Sequence, residues 1–366
     1  MLIVVAPQEY KGTLTAEEAA RAMANGVRRA LPNADVDVLP LADGGPGTVR
    51  AIVGATGGEL RLVRVTGPLG EPVDAEWGLL PNGSAVIEMA AAAGLVLVPE
   101  DRRDPRITTT FGVGELVRAA LDAGARRVII GLGGSATNDG GAGMAQALGV
   151  RLLDADAREL ERGGAALAGL ARIDVSKLDA RIAGVGVLGA TDVRNPLCGP
   201  EGASLVYGPQ KGATPEIAAE LDAALREYAA VIGRDLRIAA ADVPGAGAAG
   251  GLGAGLIAFL NADIRPGIEV IAEVVRLRER IRGADLVLTG EGRLDGQTQY
   301  GKTVAGVARV AKDEGVPVIV VPGALGDGWE SMQPLVEAIE PVGDDGGDAS
   351  ERLAATVARA VRGRVA

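Results

Sequence analysis

Apolar residues open the chain as one short run, Leu-Ile-Val-Val-Ala, closed by Pro7, so Leu2 to Ala6 reads as a buried strand. Helical spacing follows from about Ala16 to Leu31, with Thr15 placed to cap its start. A second apolar strand, Val36 to Leu41, ends in the loop ADGGPGT, and the helical pattern resumes from Val49 to Ala55. Between Leu60 and Met89 the texture changes. Short apolar runs are broken by Gly-Pro, Gly-Glu-Pro and Pro-Asn-Gly, which is how antiparallel hairpins read.

Helical spacing returns from Gly114 to Ala123. The strand Arg127 to Gly131 then runs straight into GGSATNDGGAG and a helix near Met144 to Leu148. A strand at Ala183 to Leu188 leads into ATDVRNPLCG, a helix spans about Pro215 to Ile232, and PGAGAAGGLGAGL opens another. From about Arg265 strand and helix alternate again. They give a helix to Arg282, strands Asp285 to Thr289 and Val316 to Val321, a helix between them from Val304 to Glu314, a short strand Ala338 to Val342 and a terminal helix from Ser350. The expected fold is α/β in two domains: one formed by both termini, 1–60 and 265–366, and an inserted α/β domain, 61–264.

Composition narrows the chemistry. Of 366 residues 48% are hydrophobic but only 2% aromatic, so Ala, Val, Leu and Ile fill the interior while 55 glycines supply turns and close backbone approaches. A net charge of -11 without a basic stripe argues against nucleic acid and for a small-molecule partner. The single cysteine, Cys198, excludes an internal disulfide and suits a reducing, cytoplasmic setting, and no apolar run is long enough for a membrane span. There is no histidine, which removes the commonest general base and most zinc sites. Catalysis then rests on carboxylates, Lys, Arg and backbone dipoles, and phosphoryl transfer tolerates that best.

GQTQYGKT, residues 296–303, spells the phosphate-loop pattern G-x-x-x-x-G-K-[ST]. A true phosphate loop leaves its strand directly at the first glycine, whereas here ADLVLT ends at Thr289 and GEGRLD intervenes. What remains is a long strand-to-helix loop carrying Glu291, Arg293, Asp295, Lys302 and Thr303 on the side where open α/β sheets bind ligands. PGAGAAG satisfies G-x-G-x-x-G without a clear preceding strand, so close helix packing competes with dinucleotide binding. In GLGGSATNDGGAG the turn Gly133, Gly134, Ser135 offers N–H groups and a hydroxyl to an anion. Asn138 and Asp139 could hold Mg²⁺ or accept a proton, or could simply cap the next helix. Asp192 and Asn195 follow a strand end, as do Lys11 and Asp43.

Together these loops resemble the class I glycerate kinases, through APQEYKGTL, PLADGGPGTV, IEMAAAAGL, GLGGSATNDGGAGMAQALG, TDVRNPLCGPEGA, YGPQKGA, PGAGAAGGLGAGL and TGEGRLDGQTQYGKT. The resemblance implies phosphorylation of D-glycerate by ATP with Mg²⁺, most often at the 2-hydroxyl. It also implies a cleft between a Rossmann-like parallel-sheet domain and an inserted domain with a mixed sheet. On this basis Asp192 is the first choice for the carboxylate that takes or orients the hydroxyl proton, with Asp139 second. Lys11 and Lys302 are the phosphate cations. Asp43, Gly133, Gly134, Ser135, Asn138, Asn195 and Arg293 bind substrate or phosphate, and Asp295 and Glu291 hold the metal. A homodimer is the assembly considered, with no nucleic acid or membrane partner. One departure stands out: the family's opening motif commonly reads A-P-D-[SA]-F-K-G, and this chain has Gln8, Glu9 and Tyr10 before Lys11. Rival readings are a dinucleotide-dependent reductase and a metabolite-binding regulator.

Overall fold

The structure is a computed structural model that describes residues 1–298, 303–343 and 346–365. The chain divides into two compact units. The first comprises Met1–Asp43, Arg50–Thr56 and Gly267–Ala366; the second comprises Gly44–Val49 and Gly57–Pro266.

The first unit is built on a wholly parallel five-stranded sheet in the order Ala338–Ile339, Val318–Val320, Leu286–Thr289, Leu2–Val5, Asp35–Val38. Ile3 lies opposite Leu286, so the first strand of the chain pairs with one that follows it by more than two hundred residues. The central strands are covered on both faces, which is why they are continuously apolar: Ile3, Val4 and Val5 have no exposed surface, nor do Val287 and Leu288, whereas the edge strand Asp35–Val38 alternates Asp with Val. On one face the helix Ala16–Ala30 packs against the terminal helix Ala349–Val365. Gly26 makes this close crossing possible, since a Cβ there would meet the Ala354 carbonyl oxygen at 2.4 Å.

Thr15 caps the first helix as its sequence suggests. Its hydroxyl accepts from the Glu18 N–H, and the Glu18 carboxylate accepts from the Thr15 N–H, a reciprocal capping box. Thr15→Ala is expected to lower Tm by roughly 2 °C without altering activity, a difference readable by differential scanning calorimetry.

The second unit holds a mixed six-stranded sheet in the order Asp263–Arg265, Gly186–Ala190, Arg127–Gly131, Ser84–Glu88, Pro72–Leu79, Glu59–Thr66. The first four strands run parallel; the last two are the antiparallel hairpins expected between Leu60 and Met89. The strand expected at Ala183–Leu188 lies later, at Gly186–Ala190, because Ala180–Gly184 is a 3₁₀ turn capped by Asp179. Three features were not anticipated: the small hairpin Arg151–Leu153 with Arg172–Asp174, the edge strand Asp263–Arg265, and a bend at the start of Ala248–Leu260. At that bend Ala249, Gly250 and Gly251 all have positive φ. Among the described residues no helix is long and apolar enough to cross a membrane.

Candidate functional site

The candidate residues fall into one loop cluster in each unit, and each cluster follows from where parallel strands end. In the first unit Leu2–Val5 and Leu286–Thr289 are neighbours, so the loops after them adjoin. Gly292 lies so close to the first loop that a Cβ would come within 2.9 Å of the Lys11 nitrogen. Tyr10, buried at 4% exposure, donates its hydroxyl to the Val321 carbonyl, and burial first, then the nearby Glu291, hold its pKa well above the ordinary value. Tyr10 thus anchors the loop while leaving Lys11 exposed at its tip.

Gln8 donates its side-chain amide to the Asp43 carboxylate at 2.8 Å. Where the family commonly carries an aspartate, this chain instead supplies a neutral donor to a carboxylate it would otherwise repel. Glu291 is nearly enclosed at 8% exposure and accepts from the Thr298 hydroxyl at 2.7 Å. Asp295 accepts from the Gln297 N–H at 2.9 Å and lies 3.9 Å from the exposed Arg293. The strand does end at Thr289, and Arg293–Leu294 then pairs with Ala324–Leu325 as a ladder of its own. A Walker A loop would have to begin directly at the strand end, and this pairing instead intervenes in the chain between Thr289 and Gly296. Lys302 lies outside the described residues.

In the second unit three chain segments meet at Gly44. Its carbonyl accepts from the Gly133 N–H at 3.1 Å, and a Cβ on Gly44 would meet the Ala190 carbonyl oxygen at 2.6 Å. A Cβ on Gly131 would in turn meet the Gly44 oxygen at 2.4 Å. Only glycine permits such approach, so ADGGPGT, the end of Arg127–Gly131 and the end of Gly186–Ala190 are drawn to one place. Gly134 is exposed there with a left-handed φ of +77°, Ser135 is 8% exposed, and Asp192 stands exposed just past its strand.

The rest of GGSATNDGGAG is enclosed, as the helix-capping alternative would have it. Asn138 and Asp139 have no exposed surface. The Asp139 carboxylate accepts from the Thr110 N–H and hydroxyl and from the N–H groups of Gly141 and Gly143, at 2.8 to 3.2 Å. Burial raises its pKa, and these bonds oppose the rise. Asn138 donates to the Ser204 hydroxyl at 2.8 Å. The turn's donors are also largely spent within the protein: Ala136 N–H on the Ala93 carbonyl, Gly140 N–H on that of Gly250. In this structure Asn138 and Asp139 therefore knit the loop together, and the surface they were expected to share shrinks to Gly133, Gly134 and Ser135. Asn195 is likewise engaged at both ends, donating to the Glu201 carbonyl and accepting from the Tyr207 hydroxyl.

Two of the three glycines of PGAGAAG, Gly247 and Gly250, face other backbone, and Gly245 faces the Ile264 side chain. Cβ atoms on Gly247 and Gly250 would meet the Pro196 and Thr137 carbonyl oxygens at 2.2 and 1.9 Å. Close packing accounts for them without a dinucleotide. Sequence reasoning passed over Lys211, which is 1% exposed and donates to the Thr137 carbonyl at 2.7 Å. A lysine between glutamine and glycine in a turn carries no mark of burial, so nothing local could have signalled it.

The model of the glycerate kinase family matches residues 3–362. Curated relatives include a glycerate kinase of Halalkalibacterium halodurans, 54% identical over 90% of this chain and 87% of its own length. A glycerate 2-kinase of Escherichia coli is 52% identical over 89% and 86% respectively. A crystal structure of a Salmonella typhimurium protein provisionally named glycerate kinase 2 superposes with a TM-score of 0.89 at 49% identity, covering 99% of this chain and 96% of that one.

Proposed function

The chain belongs to the glycerate kinase family, and from that premise we propose that it transfers the γ-phosphoryl group of ATP to the 2-hydroxyl of D-glycerate, giving 2-phosphoglycerate. The observation that carries the reading is a 52% identity to a protein named glycerate 2-kinase over most of both chains. The loop chemistry agrees with it: without histidine, an exposed carboxylate, Asp192, and an exposed lysine, Lys11, stand in loops that follow parallel strands.

Asp192 accepts or orients the proton of the attacking hydroxyl, which makes the oxygen a better nucleophile as the bond to phosphorus forms. Lys11 offsets charge on the phosphates, together with Lys302. Gly133, Gly134 and Ser135 contact the acceptor. Asp43, oriented by Gln8, supplies a fixed carboxylate beside the Lys11 loop. Glu291 and Asp295 fit Mg²⁺ as an oxygen pair on one loop, since this ion is commonly held by one or two carboxylates with water and substrate phosphates completing the shell. Among the described residues no group of three or more candidate ligands occurs. When bound, Mg²⁺ would neutralise charge on the phosphate oxygens.

The test incubates the protein with ATP, Mg²⁺ and D-glycerate, then adds enolase without phosphoglycerate mutase. Phosphoenolpyruvate is expected to form at once. If it forms only after the mutase is added, the product is 3-phosphoglycerate and the regiochemistry is overturned; if ADP does not form at all, the kinase reading fails.

A further inference from the structure

Lys211 is the one buried lysine among the described residues, at 1% exposure. Its ammonium donates to the Thr137 carbonyl at 2.7 Å, two residues beyond Ser135. The same carbonyl is hemmed from another side by Gly250, where a Cβ would come within 1.9 Å of it, so only glycine fits. A second attachment comes from the same stretch of chain: Ser204, fully buried, accepts from the Asn138 amide at 2.8 Å. Residues 204–211 are continuous through a short helix and a 3₁₀ turn, with the Gly208 N–H on the Ser204 carbonyl and the Lys211 N–H on that of Gly208. One rigid segment therefore grips two consecutive residues of the loop that carries Gly133, Gly134 and Ser135.

We propose that Lys211 is a positioning residue for acceptor binding, fixing the Gly133–Ser135 turn through the Thr137 carbonyl. A side chain needed only to fill this space would be better uncharged, because an enclosed ammonium is strongly disfavoured. Burial pushes the Lys211 pKa down to about 7, and the buried Asp139 works against that fall. Tyr228 on the helix Pro215–Leu236, fully enclosed and facing the same Asp139, is held in its neutral form by burial first and then by that carboxylate. The protein keeps an ionisable group here that packing alone would not select. The inference rests on the reading of Gly133–Ser135 as acceptor-side residues.

Lys211→Met is expected to raise KM for glycerate about tenfold while KM for ATP stays within about twofold, and Lys211→Arg to recover most of the loss. A uniform change in both KM values that tracks a fall in Tm would mean a merely structural lysine, and unchanged KM values would mean no role; either overturns the proposal. Burial is checked separately by stability against pH. The unfolded chain keeps the lysine proton between pH 7 and 10 while the folded chain releases it, so the wild type gains stability relative to Lys211→Met as pH rises through that window. A constant difference would show that the lysine is not enclosed, and would also overturn the proposal. Should Lys211→Met fail to fold, Ser204→Ala cuts the segment's other attachment: a raised glycerate KM alone supports the proposal, an unaltered one sinks it. If the wild type makes no phosphoglycerate, the functional reading itself has failed; if it turns over normally and the variants match it, only this inference has.

Discussion

Asp192→Asn is expected to lower kcat for glycerate phosphorylation about a hundredfold, with Tm unchanged and KM for glycerate within a few-fold. The amide keeps the size and hydrogen-bonding reach of the carboxylate but cannot take a proton from the attacking hydroxyl. Because Asp192 is exposed at the end of Gly186–Ala190, the substitution opens no cavity, so lost turnover cannot be traced to lost folding. Steady-state kinetics with ADP release as readout decides the point. A variant within threefold of wild type would move the proton-accepting role elsewhere, whereas a raised KM with intact kcat would make Asp192 a binding group.

The second large effect is expected at Gly44. An alanine there must adopt a φ of +95° and bring its methyl group to 2.6 Å from the Ala190 carbonyl oxygen, while the neighbouring carbonyl still serves Gly133. Strain and clash together should cost about 3 kcal/mol of stability, and displacement of the Gly133–Ser135 turn should reduce kcat/KM for glycerate at least about tenfold. Gly47→Ala is the internal control. It has a similar φ of +91° but nothing within 4 Å of the added carbon, so it isolates the conformational penalty, about 1 kcal/mol. Equal losses in the two variants, measured by chemical denaturation, would show that backbone conformation alone matters and that the convergence on Gly44 does not position the turn.

Much of the fold is legible in the sequence where the physics is local. The apolar run Arg127–Gly131 has the same bounds in the structure as in the pattern, and Thr15 caps its helix as its position suggests. The hairpins between Leu60 and Met89 follow their turn residues. What the sequence leaves unreadable is set by long-range packing. Asp263–Arg265 is a strand paired to the edge that Gly186–Ala190 offers, and at the left-handed bend Ala249–Gly251 the Thr137 carbonyl of a distant segment leaves no room for a Cβ on Gly250. The same divide runs through the site. Strand ends flagged Lys11, Asp43 and Asp192 because loops after parallel strands are where ligands gather. Asn138 and Asp139 looked equally suitable, since a polar side chain that caps and one that binds have the same letters. Only burial and hydrogen-bond partners separate them, and Lys211, for the same reason, carried no signal at all.

The pairing of Leu2–Val5 with Leu286–Thr289 has a consequence for how the chain is made. A ribosome adding about 5–20 residues per second releases the first strand roughly a quarter of a minute to a minute before its second neighbour emerges. Until then it has Asp35–Val38 beside it and an open edge lined by Ile3 and Val5, side chains that end with no exposed surface. Residues 57–266 can complete their own sheet in that interval. A strand made before residues 57–266 is therefore completed only after them, and during growth of the chain its open edge needs protection from other chains.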